Sequence, residues 1–551
     1  MTPKFFSMIK NKEITKEQVI KDIIAGIIVA IIALPLSVAL AISSGVSPEK
    51  GLITAIFGGF IVSFLGGSKV QIGGPTAAFV VIVYSIIQEY GLNGLITATI
   101  MAGIILIIMG LLKFGSLIKY IPQTITIGFT AGIAVTLIST EVKDFLGLSI
   151  DNVPAEFLGK WQSYFANIGT LNTWSLFIGL GSIIIMVIWP KINKTIPGSM
   201  IALVVATIFV QVLNIPVETI GSRFQEISSA MPKPSFPALS MDQINKLFAP
   251  AMSIAILGAL ESLLSATVAD GMISDTHDSN MELTAQGIAN ITCALFGGIP
   301  ATGAIARTAA NIKSNGRSPI SGIIHAILLL ITMLVLMPFA KLVPMTVLAA
   351  ILVIVAYNMS QWRVFKALLK APKSDVIVLL VTFACTVVFD LVVAIGVGMI
   401  MTMFLFMKRV SDTTQIRDLV DEGVFDEDIS TVLEKAHGKI HVYQINGPMF
   451  FGVVQEFITK MKKLEESVEV VILDMRHTHA IDASAIDALT RLLKHCNTLN
   501  IKFCLTHVQE QPMKVLNKMK FMVKVGESNI YETKTEAIEE AYDYVRNLEA
   551  S

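Results

Sequence analysis

Two charged side chains stand where charge is costly. Arg307, in Ala306-Arg307-Thr308, and Glu261, in Gly258-Ala259-Leu260-Glu261-Ser262-Leu263-Leu264-Ser265, are embedded in long apolar runs. An ionisable group at membrane depth marks a partner or a purpose. Ahead of Arg307 runs Gly297-Gly298-Ile299-Pro300-Ala301-Thr302, and a related break, Gly73-Gly74-Pro75-Thr76, interrupts an earlier apolar stretch. Irregular backbone is tolerated in lipid only where protein or a water-filled cavity satisfies its polar groups, so the two breaks predict a cavity at midplane. Proline suits the first turn of a helix, where its missing N–H costs nothing. Pro75 and Pro300 are therefore expected to start two half-length helices whose free N–H groups and positive dipole ends face each other and bind an anion. A pair of packing kinks is the alternative.

Arg307 is expected one or two turns into the second half-helix, with the substrate anion as partner; a salt bridge or a snorkelling contact is the other reading. Glu261 is a candidate proton carrier, with Ser265 one turn on; a fixed counter-ion to Arg307 is its alternative. Coupling has an energetic motive. Importing a divalent anion against roughly 100 mV costs about 4.6 kcal/mol, which a co-transported cation offsets. His325 reads as a satisfied core histidine, and Asp270, Asp275, Asp278 and Glu282 as a solvated loop between spans.

Such groups need a membrane frame to hold them. Of 551 residues, 53% are hydrophobic and 15% charged, against about 25% charged in soluble chains. Residues 411–551 hold 16 Lys+Arg and 23 Asp+Glu, so the net charge of zero hides a basic body and an acidic tail. A soluble enzyme, a disulfide scaffold and a disordered chain are excluded, and Cys293, Cys385, Cys496 and Cys504 show no metal-ligand spacing. A bilayer core needs about 20 apolar residues per helix. Charge-free stretches between 23 and 407 give about 14 membrane segments. Lys4, Lys10, Lys12, Lys16 and Lys21 precede the first, and Lys408 and Arg409 close the last, which places both ends in the cytoplasm of a cell-membrane protein. Removal of the first span as a signal peptide is the weaker alternative, since its apolar run exceeds a usual signal core.

The chain also repeats itself. Gly73-Gly74-Pro75-Thr76 returns 225 residues later at Pro300, and Ile121-Pro122-Gln123-Thr124-Ile125 returns 222 residues later as Val343-Pro344-Met345-Thr346-Val347. Seven spans per copy reverse the second copy relative to the first, which is an inverted repeat. Past residue 438 short β-like runs alternate with helical ones: 440–445, 453–464, 468–475, 483–496, 501–506 and 535–548. This predicts an α/β domain over 438–551, after an N-terminal segment 1–22, a membrane domain 23–410 and a linker 411–437. It has no phosphate loop, metal spacing or nucleophile elbow, so no enzymatic activity, cofactor or nucleic-acid partner is expected.

The residues resemble the sulfate permease (SulP) family of anion transporters, related to pendrin and prestin, followed by a STAS domain. The resemblance rests on Ala33-Leu34-Pro35-Leu36-Ser37-Val38-Ala39, Gly74-Pro75-Thr76, the run from Gly258 to Ser265, and Phe296-Gly297-Gly298-Ile299-Pro300 through Ala306-Arg307-Thr308. In the tail it rests on Ile472-Leu473-Asp474-Met475-Arg476 and Ile481-Asp482-Ala483-Ser484-Ala485. It implies seven-plus-seven inverted repeats, a core domain carrying the half-helices, a gate domain, elevator-type alternating access and a homodimer. It also implies an anion site at Thr76, Ala77, Ala304, Ile305 and Ala306, with Arg307 beside it and Gln71 counted among the binding residues. Sodium-coupled bicarbonate members carry Asp at the position of Glu261 and Thr at those of Ser265 and Ile305. Because Ile305 offers no side-chain oxygen, the departure favours proton coupling. Ser484 stands where signalling relatives of the STAS domain accept phosphate. The expected function is proton-coupled symport of sulfate, bicarbonate or a dicarboxylate; sodium-coupled symport, exchange and anion sensing without transport are the alternatives.

Overall fold

In lipid a chain must satisfy every backbone polar group internally, and for these apolar runs the helix is the available answer. The computed structural model describes residues 2–193, 196–224, 227–237, 241–389, 391–420, 422–423, 425, 427–461 and 467–550. It divides into two units, 1–399 and 400–551.

The first unit opens with α1 (Lys4–Lys10), α2 (Lys16–Ser43) and α3 (Pro48–Leu65). The Thr15 side chain caps α2 by accepting from the Gln18 N–H at 3.2 Å, and Pro48 occupies the first turn of α3. Strand β1 (Gly73–Gly74) and a 3₁₀ turn (Ala77–Phe79) lead into α4 (Val80–Leu111), which breaks at Gly91 (φ 66°, ψ −171°). Next come α5 (Gln123–Leu146), α6 (Phe157–Ala166), α7 (Thr173–Ile192), α8 (Gly198–Leu213) and α9 (Ile220–Arg223). The second half has α10 (Met241–Ile273), α11 (Ser279–Leu295), β2 (Thr302–Gly303), α12 (Ile305–Lys313), α13 (Ile320–Ala340), α14 (Met345–Met359), α15 (Trp362–Leu368), α16 (Lys373–Val388) and α17 (Leu391–Thr413).

Among the described residues nine helices are long and apolar enough to cross a membrane. The break at Gly91 makes one of these two, and the shorter α8, α11, α12 and α16 bring the segments to fourteen, seven in each half. Pro122 and Pro344 both sit at the N-cap, of α5 and α14, so the second repeated motif marks the same event in both halves. The first motif aligns differently from expectation. Pro75 lies two residues ahead of its helix, whereas Pro300 lies five ahead of α12 with β2 between them. Pro300 therefore does not start the second half-helix, because the strand pairing takes up the intervening backbone.

Within this unit α11 packs on α3 and α4, α10 on α4, and α13 on α2 and α3, while α5 packs on α14 and α16, and α7 on α8 and α14. The α4–α11 contact is backbone-close. A Cβ on Gly103 would lie 2.6 Å from the Gly287 oxygen, and one on Gly287 2.5 Å from the Gly103 oxygen. Small residues of this kind are what let membrane helices approach, since lipid supplies no hydrophobic drive between them.

The second unit holds a five-stranded sheet in the order β3 (Gln415–Asp418), β4 (Ile440–Asn446), β5 (Val470–Asp474), β6 (Lys502–Thr506), β7 (Ile530–Tyr531), parallel except for antiparallel β3. All five β5 residues are buried, as a central strand covered on both faces requires. One face carries α19 (Phe451–Met461), α20 (Ala483–Thr498), α21 (Glu510–Lys518) and α22 (Phe521–Val525); the other carries α18 (Glu427–Lys435) and α23 (Lys534–Ala550). The segment read as a linker, 411–437, thus contributes a strand and a helix to this domain. Its four-residue strand was too short to show a period of two. The end of the expected helix 453–464, at 462–464, lies outside the described residues.

Candidate anion site at the crossed half-helices

The site begins with backbone. Strands β1 and β2 cross antiparallel, with Gly73 opposite Gly303 and Gly74 opposite Thr302. Because they run in opposite directions, the helices that follow depart in opposite directions, and their N-termini point back toward the crossing. The first N–H groups of each helix have no partner within their own helix. Thr76, half-buried, precedes Ala77 at one start, and Ala304 caps Ile305 and Ala306 at the other. Ala77 and Ala304 are buried, while Ile305 and Ala306 are exposed. The predicted residues Thr76, Ala77, Ala304, Ile305 and Ala306 thus come together at two facing helix starts, a geometry suited to negative charge.

Side chains satisfy the irregular backbone around the crossing. One face of α12 carries Arg307, Thr308 and Asn311 and reads the segment before β1: the Asn311 amide donates to the Val70 carbonyl at 2.8 Å, and the Thr308 hydroxyl accepts from the Ile72 N–H at 3.1 Å. Asn290 holds Ala301 at both ends, donating to its carbonyl at 2.8 Å and accepting from its N–H at 2.9 Å. Thr54 accepts from the Ile299 N–H at 2.7 Å, and Ser262 from the Gly303 N–H at 3.0 Å. None of these braces was singled out from sequence. The signal that could have found Thr308 and Asn311 is the polar stripe on α12 at helical spacing, in a helix otherwise apolar and small up to its closing Lys313.

Arg307 lies in the first turn of α12, earlier than expected, and is 1% exposed. Its guanidinium donates to the Pro75 carbonyl and, at 3.5 Å, to the Gly73 carbonyl, tying the second half-helix to the start of the first. Its Nε is buried and, among the described residues, has no hydrogen-bond partner. Arg307 therefore serves first as a clamp, and its charge stands behind the helix starts. Glu261 on α10 is half-buried, with Thr76 and Arg307 as its electrostatic neighbours. The Thr76 hydroxyl is buried beside it.

Other predicted residues are placed elsewhere. Gln71 lies against Gly303, the residue before the Ala304 cap, and its amide donates to the Ser262 carbonyl at 3.1 Å and to the Glu282 carboxylate at 2.8 Å. Ser265 donates to the Thr308 hydroxyl at 3.4 Å and is buried, so it braces α12. Glu282 is fully buried, not solvated, and accepts also from the Gly67 N–H at 2.9 Å and the Gln286 amide at 3.0 Å. Its loop neighbours find local partners, with Asp270 on His277 and Asp275 on Lys69. His325 is fully buried against Gly59, with the Gly322 backbone as its polar neighbour. In the second unit Ser484 is half-buried in the first turn of α20, after Asp482, which caps that helix through the Ala485 N–H at 2.9 Å.

Residues 19–382 match the model of the sulfate permease family, and residues 432–537 that of the STAS domain. YvdB of Bacillus subtilis (strain 168) is 38% identical over 495 residues, covering 89% of this chain and 92% of that protein. The solved transmembrane domain of a cyanobacterium bicarbonate transporter, BicA, is 30% identical with a TM-score of 0.64, covering 69% of this chain and 98% of that one. Murine Slc26a9 shares the fold with a TM-score of 0.86 at 20% identity, over 98% of this chain and 94% of that one. With the family model spanning most of the membrane unit, and a relative of this identity matching both units, the chain belongs to the sulfate permease family, whose members are anion transporters and not enzymes.

Proposed function

We propose that this protein is a secondary active transporter of a small anion, sulfate, bicarbonate or a dicarboxylate, which it carries together with protons. The observation that supports this reading is the antiparallel crossing of β1 and β2, which turns two helix N-termini toward one point with Arg307 and Glu261 beside it. The helix starts and the guanidinium supply positive potential for the anion; Glu261 supplies a carboxyl that can carry a proton through the same movement. Family members include sulfate and bicarbonate transporters, and Ala77, Ala304 and Ala306 leave room for either ion. An elevator-type movement of the helices carrying the half-helices against the group around α5, α7, α14 and α16 would expose the site to each side in turn. The basic residues flanking the first and last spans support a cytoplasmic location for both ends.

The test is anion uptake into proteoliposomes under an imposed pH gradient or an imposed sodium gradient. Acid on the uptake side is expected to accelerate entry of sulfate or bicarbonate, with sodium without effect; sodium-dependent uptake indifferent to pH would refute proton coupling. Glu261→Gln is expected to abolish pH-driven uptake while anion binding persists. Unchanged coupling in that variant would remove Glu261 from the mechanism.

A further inference from the structure

Lys160, on the short helix α6, is 3% exposed, and among the described residues its ammonium has no hydrogen-bond or ion-pair partner. Its compensation comes from the face of the Tyr84 ring, 5.6 Å from Nζ to the centroid, and from the charge of the Glu141 carboxylate. Its polar neighbours are already engaged. Arg223 is held by Asp144 at 2.9 and 2.6 Å and by Glu218 at 2.8 Å. The Glu141 carboxylate accepts from Ser43 at 2.5 Å and from Thr140 at 3.2 Å, and the Tyr84 hydroxyl donates to the Val153 carbonyl at 2.8 Å. A ring face is a weak substitute for a counter-ion when a lysine is stripped of water.

Lys160 also borders two cavities. One, of about 340 Å³, extends from Ala78, next to Ala77 of the half-helix start, past Ser85 to Lys160, with Ser253 and Thr386 on its walls. The other, of about 250 Å³, shares Lys160 with the first and is lined also by Gln88, Lys143, Asp144, Asp151, Asn152 and Arg223. Five membrane segments precede α6, so Lys160 stands on the face opposite the N-terminus, between that face and the half-helices.

We propose that Lys160 is an outer docking site for a small oxyanion, which takes hydrogen bonds from Nζ on its way between the second cavity and the half-helix starts. The assignment rests on the transport reading above. The carboxylates lining the two cavities, Glu156 in the first and Asp144 and Asp151 in the second, together with buried Glu141 nearby, keep the residence brief, which passage requires, since an ion must bind well enough to enter and weakly enough to leave.

The test uses oriented proteoliposomes with sulfate or bicarbonate presented on either face. Lys160→Gln is expected to raise the half-saturating concentration about tenfold, the loss of one charge-assisted hydrogen bond, on the α6 face alone. Lys160→Arg should stay near wild type. No change on either face, or an equal change on both, overturns the proposal; absence of flux in the wild-type protein instead refutes the transport reading. Should Lys160→Gln fail to fold, selenate diffused into crystals of the unaltered protein decides the matter. An anomalous selenium peak within hydrogen-bond reach of Nζ is expected, and peaks confined to the half-helix starts overturn the assignment.

Discussion

At the scale of single residues, the buried guanidinium of Arg307 is the pivot of the site. Its hydrogen bonds to the Pro75 and Gly73 carbonyls hold two chain segments that sequence places far apart, and a charged hydrogen bond contributes about 1.5–3 kcal/mol. Arg307→Ala is expected to lower stability by about 3 kcal/mol and to erase any thermal shift produced by sulfate. Arg307→Lys should recover the charge but not the two-pronged bridge, and so give partial recovery. Thermal unfolding in detergent, with and without the anion, checks both. Asn290→Ala leaves both backbone groups of Ala301 unpaired; each buried orphan costs about 1–3 kcal/mol. Reduced uptake with unchanged pH dependence is expected, since Asn290 braces the site without facing the anion. Arg307 and Glu261 were legible in the sequence because a charge within an apolar run stands out. Asn290, Thr54 and Asn311 were not, because a neutral polar residue reads the same whether it faces lumen, lipid or a distant carbonyl.

At the scale of elements, the crossing of β1 and β2 depends on how closely chains approach. Gly74 has φ of +146°, and a Cβ there would press on the Arg307 guanidinium and stand 3.3 Å from Ala55 Cα. Gly74→Ala is expected to cut uptake at least tenfold, since a side chain in that backbone region costs of order 1–3 kcal/mol beyond the clash. Gly271, with no atom within 4 Å of an added Cβ, is the control; in its helix Gly271→Ala should be neutral or stabilising by up to about 1 kcal/mol. In the second unit burial pushes the Cys504 and Cys496 thiols up, to about 11 and about 12, from an ordinary value near 9. Between pH 9 and 11 the folded domain thus holds protons on these thiols that the unfolded chain has lost, so stability falls as pH rises through that window. Alkylation of Cys496 and Cys504 should be slow in the native protein at pH 8 and fast in denaturant, read by mass spectrometry.

For the whole molecule, the position of β3 changes where the chain can be cut. Truncation at residue 430 keeps β3 but removes β4, its antiparallel partner, and exposes an unpaired edge prone to association. Truncation after Thr413 removes the complete sheet. The shorter chain is expected to run as a single species on size exclusion and to keep uptake per folded molecule, while the longer one aggregates. Loss of uptake after the Thr413 cut would show that the STAS domain does more than assemble and stabilise.

Sequence alone determined the membrane architecture, the repeated motifs at Pro122 and Pro344, the α/β character of the tail and the two charges of the site. Those properties follow from composition and short-range period, which a chain carries locally. Tertiary structure decided that Pro300 does not begin a half-helix, that Glu282 is buried, which groups Gln71 and Ser265 hydrogen-bond, and that Lys160, among the described residues, makes no hydrogen bond or ion pair. These depend on which side chains meet across tens to hundreds of residues of chain, and one amide or lysine carries no local mark of the carbonyl or cavity it will face.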